Sequence, residues 1–155
     1  MTFRISGLNP SQFRHLFGLS DDELAAVGAR RCIADTRPGF PDRIEVRDAE
    51  SGETLILLNY EHQPANTPYH SSHAIFVLEG ATTPLDVVDA IPEVMRVRTM
   101  SLRAFDRDGE MVSAELVDGA EMEASIERLF NSPAVDYIHA HYATRGCYAA
   151  RIDRA

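Results

Sequence analysis

Several stretches of this chain carry the apolar and polar pattern of strands, separated by turn residues, and capping signals locate its helices. Phe3 to Ile5 reads as a short strand. Asn9 followed by Pro10 is a cap-then-proline start for a helix reaching about Phe17, and Ser20-x-x-Glu23 is a capping box for a second through about Val27. After Gly28 the pattern turns to strands: Arg31 to Asp35, Ile44 to Arg47, Thr54 to Tyr60 and His73 to Leu78, separated by clusters of Pro, Gly, Asp and Ser. The run Leu55-Ile56-Leu57-Leu58 is apolar at every position, as in a central strand covered on both faces. Thr82 to Pro92 is expected to be a connection with a short helix near Leu85 to Asp89. Asp118-x-x-Glu121 caps a helix from about Gly119 to Phe130, whose apolar stripe is Met122, Ile126, Leu129 and Phe130.

Two hairpins carry most of the remaining information. Thr99 to Asp106 and Glu110 to Val117 flank Arg107-Asp108-Gly109, and a loop ending in Gly favours a type I turn with a bulge. That register sets Phe105 opposite Met111 and gathers Met100, Leu102, Ala104, Val112, Ala114 and Leu116 on one face. The same rule at the C-terminal hairpin sets Ala143 opposite Cys147, His141 opposite Ala149, His139 opposite Arg151 and Tyr137 opposite Asp153. One face then holds Ile138, Ala140, Tyr142, Tyr148, Ala150 and Ile152. The other collects two imidazoles, a thiol and a guanidinium around two alanines.

The expected fold class is α+β: a mainly antiparallel sheet of roughly six to eight strands with one longer helix in the C-terminal half and two short N-terminal helices, in one domain over residues 1–155. The 155 residues carry a net charge of −9, which argues against nucleic acid or an anionic membrane surface as partner, since both need clustered positive charge. No apolar run approaches a membrane span and no secretory leader opens the chain, so a cytoplasmic protein is expected. All 15 basic residues are Arg. Without Lys there can be no phosphate loop ending in Gly-Lys-Ser/Thr, no Schiff base and no pyridoxal chemistry, and without GxGxxG there is no dinucleotide fingerprint. Cys32 and Cys147 are too few for a disulfide framework or a four-cysteine zinc site.

Five of the six histidines lie in three stretches: Asn59-Tyr60-Glu61-His62, Tyr69-His70-Ser71-Ser72-His73 and the terminal hairpin. Each stretch puts hydrogen-bonding side chains where an apolar strand meets a loop, so the candidate site brings together Asn59, Glu61, His62, His73, His139, His141, Cys147 and Arg151. Three chemistries are open to it. His139 and His141, two apart on a strand, point the same way and could share a divalent metal ion, with His62, His73, Glu61 or Cys147 completing the ligand set. Cys147, diagonal to His141 and near Arg151, has the makings of a thiol nucleophile with its base. Arg151 with His139 and His141 could instead bind a small anionic or polar molecule in the hollow left by Ala143 and Ala149. Against these stands a structural reading in which the imidazoles are hydrogen-bonded, Cys147 is packed, Arg151 pairs with Asp153 or Glu61, and the chain is a protein-interaction module. Oligomeric state is not legible.

Asn59-Tyr60-Glu61-His62-Gln63-Pro64, Pro68-Tyr69-x-Ser71-Ser72-His73-Ala74-Ile75-Phe76-Val77, Arg103-Ala104-Phe105-Asp106 and Gly146-Cys147-Tyr148-Ala149-Ala150-Arg151 together resemble the bacterial family catalogued as domain of unknown function 1203. The likeness runs nearly end to end. Where the family pattern carries Arg, this chain has His70, which weakens a ligand role for that residue. The resemblance implies a small stand-alone bacterial protein and no particular reaction.

Overall fold

Strand pairing in the computed structural model, which describes residues 1–155, divides the α+β chain into two antiparallel sheets. The larger sheet has the order β5-β1-β9-β8-β6-β7, with β1 Phe3–Ser6, β5 Asp86–Val88, β6 Thr99–Phe105, β7 Met111–Asp118, β8 Tyr137–Tyr142 and β9 Tyr148–Arg154. The smaller has the order β2-β3-β4, with β2 Arg30–Ile33, β3 Thr54–Gln63 and β4 Ser71–Leu78. The doubly apolar run of β3 therefore lies in a central strand, and Leu55 and Ile56 are fully buried there.

Helices cover the outer faces. α3, Met122–Phe130, buries Met122, Ile126, Leu129 and Phe130 against Met100, Leu102, Ala104, Ile138, Ala140 and Ile152 of the larger sheet. α1, Asp21–Ala26, begins at the expected capping box: Glu23 N–H donates to Ser20 Oγ and Ser20 N–H to Glu23 Oε1, both at 3.1 Å. Leu24 of α1 joins Phe13, Leu16, Leu55, Ile56, Ile75 and Val77 in a second core, and Tyr148 of β9 reaches into it. No helix is long and apolar enough to cross a membrane.

Several local expectations give way to side-chain hydrogen bonding and to bulges. The segment after Asn9 forms two 3-10 turns, Pro10–Gln12 and Arg14–Leu16, because Phe13 leaves helical geometry between them. Ile44 to Arg47 is not a strand: the buried Asp42 carboxylate accepts the N–H groups of Glu45 and Leu78, Val46 sits at φ 53°, and the chain doubles back through Asp42 N–H to Arg47 O at 2.9 Å. Near Leu85 a strand, β5, replaces the expected helix, since β1 offers it an edge to pair with. An unforeseen short helix, α2 Glu93–Arg96, precedes β6.

Both hairpins begin or end in the expected register and change it at a bulge. In β6–β7 Phe105 does face Met111, but a bulge beyond it pairs Ala104 with Ser113, Leu102 with Glu115 and Ser101 with Leu116. Val112, Ala114 and Leu116 are thereby turned to solvent and do not join Met100, Leu102 and Ala104. In β8–β9 the outer pairs Tyr137–Asp153, Ile138–Ile152, His139–Arg151 and Ala140–Ala150 are as expected, and a bulge then sets His141 opposite Tyr148.

Candidate functional site

The β8–β9 bulge determines which side chains meet on the inner face of the larger sheet. An extra residue in one strand exchanges the faces of everything between it and the loop. Tyr148 moves to the side of His139 and His141, while Cys147 packs on the other side with Met100, Ala140 and Tyr142. A Cys147–His141 nucleophile pair is therefore excluded by geometry. The thiol is buried at 8% exposure and lines, with Tyr142, Arg98 and His73, a hollow of about 570 Å³ that His62, His139 and His141 do not border.

The smaller sheet brings the third imidazole. Between Tyr60–His73 and Gln63–Ser71 the β3–β4 ladder has two residues on β3 against one on β4. This irregularity lets the consecutive side chains of His62 and Gln63 both be buried. Gln63 Nε2 donates to Tyr137 Oη at 2.8 Å, tying the end of β3 to β8. His62 then stacks on Tyr148, with centroids 5.7 Å apart, and lies edge-on to His141 at 4.9 Å and to His139 at 6.2 Å.

His62, His139 and His141 are 9, 4 and 0% exposed, and one ring nitrogen from each lies within 4.8 Å of those of the other two. Each ring also has a buried nitrogen with no hydrogen-bond partner: Nδ1 of His62, Nδ1 of His139 and Nε2 of His141. In His141 the tautomer follows from the other nitrogen, which lies 2.9 Å from the carbonyl oxygen of Gly146. A carbonyl only accepts, so Nδ1 carries the proton and Nε2 presents a lone pair. Burial pushes the His62 pKa down to about 4 and those of His139 and His141 to about 3, with the neighbouring Arg103 cation acting in the same direction on all three. Three neutral imidazoles thus face one another inside a wall formed by Phe105, Tyr137 and Tyr148, each with its ring centroid between 5.1 and 5.2 Å from that of His139.

Of the other expected site residues, Arg151 lies across from His139 as expected, but it pairs with Asp153, its Nε donating at 2.9 Å, and lies 4.1 Å over the Tyr137 ring. The rest are placed away from the imidazole centre. Asn59 and Glu61 are exposed and line a separate hollow with Phe13, His15 and Leu16, and Glu61 is bonded to His70 at 2.9 Å. His73 faces Tyr60 across the ladder, its Nδ1 bonded to Ala74 O at 2.9 Å. Two neighbours of the imidazoles were not foreseen, Tyr148 and Arg103. Tyr148 was assigned by strict alternation to the opposite face. Arg103 had a signal in the Arg103-Ala104-Phe105-Asp106 stretch, and β6 pairs it with His139 on the histidine face.

A family model described as protein of unknown function (DUF1203) matches residues 39–154. The chain belongs to that family. The match spans all of the imidazole centre and its aromatic wall, and leaves outside it β1, α1 and β2. No curated protein and no solved structure matches the chain.

Proposed function

We propose that this protein binds a divalent transition-metal ion through His62, His139 and His141 and uses it on a small polar or anionic molecule. The carrying observation is a cluster of three buried histidines whose ring nitrogens come within 4.8 Å of one another, each ring also having a buried nitrogen without a hydrogen-bond partner. An unsatisfied buried polar group costs about 1–3 kcal/mol, and three in one place call for a common ligand. Neutral imidazoles suit zinc, iron, nickel or copper, and the backbone bond from His141 Nδ1 is the second contact that commonly fixes a metal-binding ring. Three protein ligands leave a coordination position open, as in catalytic rather than structural sites, so metal-assisted hydrolysis is the reaction class we assign. The net charge of −9 supports a small-molecule partner over nucleic acid or an anionic membrane. Two unpaired cysteines suit a reducing compartment such as the cytoplasm.

The test is titration of metal-free, untagged protein with cobalt(II), followed by visible absorption and by elemental analysis after gel filtration. One equivalent taken up by the wild type, and lost in His62→Leu and in His139→Leu when circular dichroism shows both folded, is the expected result. Uptake equal in wild type and variants would exclude the centre.

A further inference from the structure

Beside the imidazoles stands a cation that nothing in the protein neutralises. Arg103 lies on β6 directly across from His139, and Ser101, its neighbour on the same face, lies across from His141. Residues paired in this way on adjacent strands have their Cβ atoms roughly 5 Å apart. Arg103 is half-buried and makes no ion pair; its sole hydrogen bond is a 3.4 Å contact from Nε to Ser101 Oγ. By contrast Arg31, Arg47, Arg96, Arg98, Arg128 and Arg151 each meet a carboxylate within 3.2 Å. Leaving a partly desolvated guanidinium unpaired next to three metal ligands works against both charges unless a third party carries the opposite sign. With an ion bound, the centre would hold a divalent charge and a guanidinium among neutral imidazoles and aromatic rings. Such a site demands an anion.

We infer that Arg103 holds the carboxylate group of the substrate and presents the rest of that molecule to the ion held by His62, His139 and His141; this rests on the metal-binding reading above. A planar guanidinium fork matches the two oxygens of a carboxylate. A phosphate would bring further oxygens, for which β6 offers only the Ser101 hydroxyl beside Arg103, the Arg151 guanidinium across from His139 being paired with Asp153 and there being no Lys anywhere in the chain. The approach is from the side of β7. Across that strand from Arg103 and Ser101 stand Ala114 and Leu116, both exposed, whereas on the other flank Tyr148 and His62 close the centre. Arg103 is thus a substrate-positioning residue on the β7 side of the centre, where its neighbour across the ladder is the small, exposed Ala114.

Cobalt(II)-loaded protein provides the test, because ion uptake and anion binding are read separately. Acetate, added to the wild type, is expected to change the visible spectrum saturably. Arg103→Met should take up cobalt as the wild type does and bind acetate roughly 10- to 100-fold more weakly, the worth of a charge-assisted hydrogen bond. Arg103→Lys, which keeps the charge and loses the fork, should fall between them. Equal acetate affinity in wild type and Arg103→Met overturns the role of Arg103 while leaving the metal centre standing. Inorganic phosphate binding more tightly than acetate overturns the assignment to carboxylates. Failure of the wild type to take up cobalt removes the metal reading and this inference together.

Discussion

The ring of Tyr148 lies within 9° of parallel to that of His62, with 5.7 Å between centroids, and through this pair the two sheets meet at the imidazole centre. Tyr148 is 3% exposed and also meets His139 and His141 edge-on, so it fixes three rings at once. Replacing it by Ala should destabilise the protein by about 3–5 kcal/mol, as for other buried aromatics, and should loosen His62 enough to lower cobalt affinity. Tyr148→Phe keeps the stack and should keep that affinity. Thermal denaturation and cobalt titration of the two variants check this; equal affinity in Tyr148→Ala and wild type would show that the stack does not hold the ligands in place.

Acid should unfold the metal-free protein through the same three residues. In the unfolded chain an imidazole titrates near 6.5, whereas the folded values are about 4, 3 and 3 for His62, His139 and His141. Below pH 6.5 the unfolded state therefore binds more protons than the folded one, and stability falls as pH drops toward the folded values. At about 1.4 kcal/mol per pH unit and site, lowering the pH from 7 to 5 withdraws roughly 2 kcal/mol for each histidine. Urea denaturation at pH 7, 6 and 5 should show a steep decline, flattened when one histidine is replaced by Leu. A stability that is flat between pH 7 and 5 contradicts the buried neutral state of these rings.

How far all this was legible beforehand is clearest at the bulges. A continuous apolar run found β3, alternation and turn residues found β4 and the four strands of the two hairpins, and cap chemistry found α1 and α3, because each is a local property of a few consecutive residues. Alternation also brought His139 and His141 to one face. A bulge depends on what the strand packs against, and one extra residue reverses every assignment on its far side. That single displacement moved Cys147 away from the histidines and Tyr148 toward them. The same event on β7 turned Leu116 outward, to 74% exposure, and turned Glu115 toward α3, where it accepts from Ser125 and Arg128. Arg103 escaped notice for a different reason: its meaning lies in the absence of a carboxylate partner, which only tertiary structure reveals.

The reassignment of Cys147 is directly measurable. A thiol packed among Met100, Ala140 and Tyr142 is expected to react slowly, as buried apolar cysteines do, whereas Cys32 on β2 is partly exposed. Native protein treated with iodoacetamide at pH 7.5 should lose one thiol quickly, mapped to Cys32 by mass spectrometry, and the second only on denaturation. Cys147→Ala should leave cobalt uptake unchanged. Rapid alkylation of Cys147, slowed by His141→Leu, would instead restore a nucleophile pair.

The carbonyl of Gly146 fixes the proton of His141, and the residue can do so only in its present backbone conformation. Gly146 has φ 81°, and a Cβ built there would meet nothing within 4 Å, so a substitution is opposed by conformation and not by crowding. Ala in that left-handed region costs about 1–2 kcal/mol, and Asn, which visits it more readily, should cost less. If the loop relaxes to spare that cost, the acceptor for His141 Nδ1 moves, and losing such an outer contact typically weakens a metal site by about 10- to 100-fold. Gly146→Ala should therefore lower both the melting temperature and the cobalt affinity, with Gly146→Asn closer to wild type in each. A variant that loses stability but binds cobalt as tightly as the wild type would show that the His141 tautomer is held by something other than this carbonyl.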